Sequence, residues 1–467
     1  TGTGTNLNGA KITLDSKNAV GIFAQNNGAG HTAQNAGKII LGKEDGTSAN
    51  ESLIGMFAQA EAGKTASVQN TGTIDVNTKK SVGMYAKNDA TNVGDVDLQN
   101  IGSININNKS SAGIYAPKAT VSKVGAINLD NTNKSDGSSA VYVSEGGKVS
   151  DTSTATINLG KASQNRVAYY VNGAGSALAG ANIGKISGYG VGVYLQGDTT
   201  PTVGRAEIDK NTPTLDFTTG DDHGDGIIGL YLNGNTEIKD YTKGITVGDS
   251  VGTNYAIGVY AKAQGTGGSY SITTPIKVGA DGVGIYADKN SDITYTGNME
   301  VGNGTKSGTG IYITKKDGTG TATGTVTLGS NTIKLKGTGG VAVIASEGTK
   351  FDAKNATIEL IGTNVTGVGV YGLKGSDVKT GGWTFKNNGN QAEEVRLVEG
   401  KVHVTSSKSL NPRMVLTHVI NGETSVGTGA TVTSVDDGSY TAKENIGLMA
   451  EGVKNPILTW DEADFEA

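Results

Sequence analysis

Ser81-Val82-Gly83-Met84-Tyr85-Ala86 is a stretch that the chain rewrites along most of its length. Copies include Val20-Gly21-Ile22-Phe23-Ala24, Ile54-Gly55-Met56-Phe57-Ala58, Ala112-Gly113-Ile114-Tyr115-Ala116, Ile257-Gly258-Val259-Tyr260-Ala261 and Val283-Gly284-Ile285-Tyr286-Ala287. Looser copies centre on Tyr142, Tyr170, Ile344 and Met449. The mean interval is about 29 residues, a period that marks a stacked repeat. Within each copy the residues alternate, as a strand with one face on a core requires. Val82, Met84 and Ala86 and their counterparts in the other copies are mostly apolar and are expected to point inward. Gly and the aromatic residue are then expected to share the outer face. That places Phe23, Phe57, Tyr85, Tyr115, Tyr142, Tyr170, Tyr194, Tyr231, Tyr260, Tyr286, Tyr312 and Tyr371 in one outer column.

A second strand precedes each of these. Its early form is Asn-x-Gly-x-Ile, as in Asn35-Ala36-Gly37-Lys38-Ile39, Asn70-Thr71-Gly72-Thr73-Ile74 and Asn100-Ile101-Gly102-Ser103-Ile104. A third, weaker strand fills the rest of the period, as in Val93-Gly94-Asp95-Val96-Asp97-Leu98. Short alternating runs closed by Gly, Asn, Asp or Ser are how strands and turns are written. Three strands and three turns per period, with no helical pattern, predict an all-β chain folded as a right-handed parallel β-helix (a β-solenoid). No single coil is stable alone, because its backbone groups find partners only in neighbouring coils.

Composition agrees. Of 467 residues 73 are Gly and 6 are Pro, without a Gly-X-Y period, which excludes collagen. Hydrophobic residues make up 35%, and the thin core of a solenoid needs no more. The net charge of −5, with acids and bases interspersed, argues against nucleic acid as a partner. Cys is absent, which excludes disulfides, thiol catalysis and cysteine-ligated zinc. The chain starts at Thr1 with no leader or long apolar run, and it reads as a segment of a longer polypeptide.

Two regions interrupt the period. The interval from Tyr194 to Tyr231 is long, which suggests an insertion at about 196–227, and the aromatic motif lapses after Tyr371. The expected organisation is regular repeats over 1–372 and divergent coils over 373–467. Insertions in repeat proteins form loops on one face, often the binding face. Asp198, Asp221, Asp222, His223, Asp225 and Trp383 in these regions are therefore candidate binding-loop residues. Asp221-Asp222-His223-Gly224-Asp225 clusters carboxylates of the kind calcium favours, but fits neither an EF-hand nor a nine-residue repeat. A solvated loop is the simpler account, and no metal or cofactor is expected.

Enzyme signals are sparse. Gly248-Asp249-Ser250-Val251-Gly252 matches the Gly-x-Ser-x-Gly elbow, but here it lies at a corner between two strands, with no helix to follow. Gly63-Lys64-Thr65 is a turn. A carbohydrate-active β-helix would need acidic, Arg or Lys residues converging on the outer face of consecutive coils, and no such cluster recurs at the period. The aromatic column itself has two readings: rings that shield coil edges, or a sticky stripe for a sugar or protein.

The pairing of Asn-x-Gly-x-Ile strands with [Val/Ile]-Gly-[Ile/Val]-Tyr-Ala strands resembles the passenger domains of large fusobacterial-type autotransporter adhesins. The tail Asn445-Ile446-Gly447-Leu448-Met449-Ala450 has the same character. The resemblance implies type V secretion, a surface-exposed β-helix and outer-membrane anchoring through a C-terminal barrel outside this segment. It further implies roles in coaggregation, biofilm, virulence and host-cell attachment, with a surface protein or glycan on host cells or neighbouring bacteria as partner. The expected function is a non-enzymatic adhesin segment. The alternatives are a structural stalk that presents a distal tip and, third, a carbohydrate-active enzyme.

Overall fold

The computed structural model describes residues 4–28, 31–46, 48–89, 95–130, 132–197, 205–219, 223–234, 236–238, 240–262, 268–288, 291–313, 324–346, 348–352, 354–411, 413–427, 430–434, 446–451, 457–460 and 464–466. The chain forms two compact units, residues 1–247 and 248–467, and both are right-handed parallel β-helices.

In the first unit the Tyr-type strands stack from Val20–Gln25 through Val82–Asn88 to Ile227–Asn233. The Ile-type strands stack beside them from Lys11–Leu14 to Lys185–Ser187, and the third kind from Thr5–Asn6 to Thr236–Glu237. The second unit repeats the plan, its Tyr-type strands running from Ile257–Lys262 to Ile446–Glu451. Register follows the sequence repeat residue by residue: Phe23 pairs with Phe57, Phe57 with Tyr85, Tyr194 with Tyr231, Tyr260 with Tyr286 and Tyr312 with Ile344. The end of the aromatic motif is no structural boundary. Thr366–Gly372 pairs in parallel with Gln391–Val398, which pairs in turn with Met414–Ile420.

The interior is built from Ile39, Ile74, Ile104 and Ile127 of one strand type and Met56, Met84, Ile114 and Val141 of another, all buried. Asparagines extend it. Asn6 Nδ2 donates to Asn35 Oδ1, Asn35 to Asn70 and Asn70 to Asn100, each at 2.7 Å, and Asn100 Nδ2 ends the series on Val124 O. Each amide thus satisfies a buried neighbour in the adjacent coil, which is why these corners need Asn rather than an apolar residue.

One facing assignment changes. Gly does not share the outer face with Tyr. Gly83 is buried, and a Cβ there would meet Gly113 O at 2.6 Å and Ile104 Cγ2 at 3.0 Å. Val82, expected inside, is only half-buried. The ladder steps from the Val82–Ala112 pair to the Met84–Ile114 pair without a glycine pair between them. Gly and Met therefore both turn inward, a bulge-like break in the pleat that recurs from coil to coil. The glycine leaves room for the Ile of the neighbouring strand, which explains its recurrence better than an outer column does.

The interval between Tyr194 and Tyr231 also differs from a plain loop. It carries the strand Ala206–Ile208, which stacks on Ala177–Leu178, and the strand Leu215–Asp216, which stacks on Ile245–Thr246. Phe217 is fully buried and occupies the space that a side chain at position 192 would need.

Candidate functional site

The aromatic column lies outside, as its pattern predicts, and its rings touch. In the first unit successive centroids from Phe23 to Tyr231 stand 4.5–5.4 Å apart, most pairs being tilted or stacked. In the second unit Tyr260, Tyr286 and Tyr312 continue at 4.9 and 5.4 Å. Each such pair contributes about 0.5–1.5 kcal/mol beyond its burial.

Several hydroxyls are tied down by the residue two places after the next aromatic. Asn172 Nδ2 donates to Tyr142 Oη at 2.9 Å and Asn233 Nδ2 to Tyr194 Oη at 2.7 Å; Tyr170 donates to Gln196 and Tyr260 to Asp288. Burial pushes the Tyr142, Tyr170 and Tyr194 hydroxyls above their ordinary pKa, and the Asn donors pull Tyr142 and Tyr194 partway back. Rings engaged with each other and hydroxyls engaged with the next coil describe a structural seam. Tyr85→Ser should therefore cost about 1–2 kcal/mol through lost ring contact. Met84→Asp, which buries an unpaired charge, should cost several times more. Thermal melts of the two variants check the facing.

Beyond Tyr371 the column changes chemistry. Its register continues as Arg396, then His418, then Met449. The position three residues before Arg396, held by Val or Ile in most coils, is here Glu393. Glu393 Oε2 lies 2.9 Å from Arg396 Nε, and Glu393 Oε1 lies 3.2 Å from His418 Nδ1. Glu393 and Arg396, with Tyr371, Gln391 and the glycines 340 and 367, line an open depression of about 470 Å³. Glycine on one wall and bulky polar groups on the other make the surface concave. This is a single local group, not the periodic cluster on consecutive coils that a carbohydrate-active β-helix would need. The signal was present in the sequence. When Ala392-Glu393-Glu394-Val395-Arg396 is laid on Ser81-Val82-Gly83-Met84-Tyr85, Glu393 falls on Val82 and Arg396 on Tyr85, which share the outer side.

The other candidates fall elsewhere. Asp198, Asp221 and Asp222 lie outside the described residues. His223 is exposed in a turn with φ of 54°, and Asp225 near it is half-buried. Trp383, expected on a binding loop, is only 4% exposed and packs inside the second unit against Phe351 and Phe385. Its ring is core, and an indole buried this way offers no face to a partner. Ser250 of the Gly-x-Ser-x-Gly stretch is bound into a corner, donating to Asp281 O and accepting from Ala256 N. Among the described residues no group of three or more His, Asp and Glu is placed to hold a metal.

Residues 1–100 match the family model described as the BigA third pectate lyase-like domain. That description names the β-helical fold found here. No match was found among curated proteins.

Proposed function

We propose that this chain is a non-enzymatic, surface-exposed adhesin segment of a bacterium, in which stacked coils display a binding surface for a protein or glycan on host cells or neighbouring bacteria. The β-helix and the match of residues 1–100 to a BigA-type domain support a bacterial surface protein. The observation that carries the binding role is the depression at Tyr371, Glu393 and Arg396, where a repeated apolar and aromatic surface gives way to a concave polar one. Departures from a rule that governs the other coils mark functional positions. Export by an autotransporter route and anchoring by a barrel outside this segment complete the proposal.

The test is saturable binding of the labelled segment to bacterial and epithelial cells, competed by free sugars and amino acids. An Arg396→Ser, Tyr371→Ser variant that keeps its melting temperature is expected to lose about tenfold or more in affinity, as loss of central contact residues does. The second reading, a stalk that spaces a distal tip, is favoured by the engaged hydroxyls of the aromatic seam. A folded segment that binds neither cell type would support it.

A further inference from the structure

In the Tyr-type strands the inward position of the bulge is glycine or alanine in each copy from Gly21 to Gly369. In the next coil it is Glu394, whose side chain is 2% exposed. Its Oε1 lies 2.8 Å from Nζ of Lys408, which is 6% exposed, and the contact lacks the angle of an aligned hydrogen bond. Lys408 Nζ also donates to Trp383 O at 3.1 Å and stands 5.3 Å from the centre of the indole. The Trp383 indole helps to hold the carboxyl's pKa down, although its N–H is buried without an aligned hydrogen bond.

Burial dominates both groups. It pushes the Glu394 carboxyl up and the Lys408 ammonium down, each against the pull of the other. Both shifts favour a neutral acid beside a neutral amine. A neutral amine has the lone pair that an ammonium lacks, and a neutral carboxyl is the better electrophile. Fixed contact between two such groups replaces a bimolecular encounter with an intramolecular one, which is worth several orders of magnitude in rate.

We propose that Lys408 and Glu394 join as a side-chain amide, an isopeptide cross-link through the interior of this coil. The Nζ lone pair attacks Cδ of Glu394, forming the Nζ–Cδ bond and moving the carbonyl π pair onto oxygen. One Nζ hydrogen passes to the carboxyl hydroxyl, the oxyanion's electron pair reforms the carbonyl as the Cδ–O bond breaks and water leaves, and the second Nζ hydrogen stays on the neutral amide nitrogen. Nothing is oxidised or reduced. The product closes the chain from 394 to 408 into a ring and removes two ionisable groups from the core.

Mass spectrometry of the purified, fully denatured segment decides the matter. The expected intact mass is that of the sequence less one water. Trypsin should yield a branched peptide joining residues 387–396 to residues 402–413, uncleaved at Lys408. Lys408→Met and Glu394→Met should each abolish the loss of water. A native segment with the unmodified mass, whose denatured Lys408 is cleaved by trypsin, overturns the proposal whether or not either variant folds.

Discussion

Gly83→Val should destabilise the first unit by about 3 kcal/mol or more, seen as a large fall in melting temperature. The cause is space. The new Cβ would lie 2.6 Å from the carbonyl oxygen of Gly113 in the next coil and 3.0 Å from Ile104 Cγ2, and neither neighbour has room to retreat. Backbone shift would spread the misfit to the adjoining coils, because each is paired to the next along the same ladder. Val82→Thr, one residue away on the half-buried outer side, should change stability by less than about 1 kcal/mol. Equal effects at the two positions would reverse the inward assignment of glycine. Ala140 and Ala168 at equivalent positions show that one methyl group is accommodated where the coil is built around it.

The second large effect concerns the buried pair of the second unit. Lys408→Met should cost about 3–5 kcal/mol, because it leaves the Glu394 carboxyl buried without its partner. Replacing both residues by Met should cost markedly less than replacing Lys408 alone, since an apolar pair of similar length leaves no carboxyl to desolvate. Thermal or denaturant melts of the single and double variants measure the difference. A double variant as unstable as the single one would mean that packing or the lost 394–408 cross-link, rather than the orphaned carboxyl, governs this site.

How much of this was legible in the sequence depends on which contacts repeat. Phe57, Tyr85 and Tyr115 lie one above the next because their spacing matches the coil, so register and the outer column could be read directly. Strict alternation fails at Gly83, since a two-residue period has no place for a bulge that turns two successive residues inward. Trp383 reads as a loop residue in the sequence because the lapse of the aromatic motif hides the coil that continues through it. In the structure Thr384–Lys386 still stacks on Thr357–Ile361, and the indole fills the core beside it. Glu394 and Lys408 were invisible as a pair, since nothing local links them. Only the coil brings them together, although Glu at the glycine position was itself a signal.

The asparagine series of the first unit has a direction. Asn6, Asn35 and Asn70 each give an amide hydrogen toward the coil that follows, and Asn35, Asn70 and Asn100 each take one from the coil before. Replacing Asn70 by Leu would remove the short acceptor of Asn35 Nδ2 and the donor that reaches Asn100 Oδ1, so a lesion in one coil is felt in three. A finished coil also presents the next with an amide hydrogen already aimed, a template that rewards one register over its neighbours. Assembly along the chain can therefore proceed by accretion, each turn copying the alignment of its predecessor, with no partner more distant than the adjacent coil.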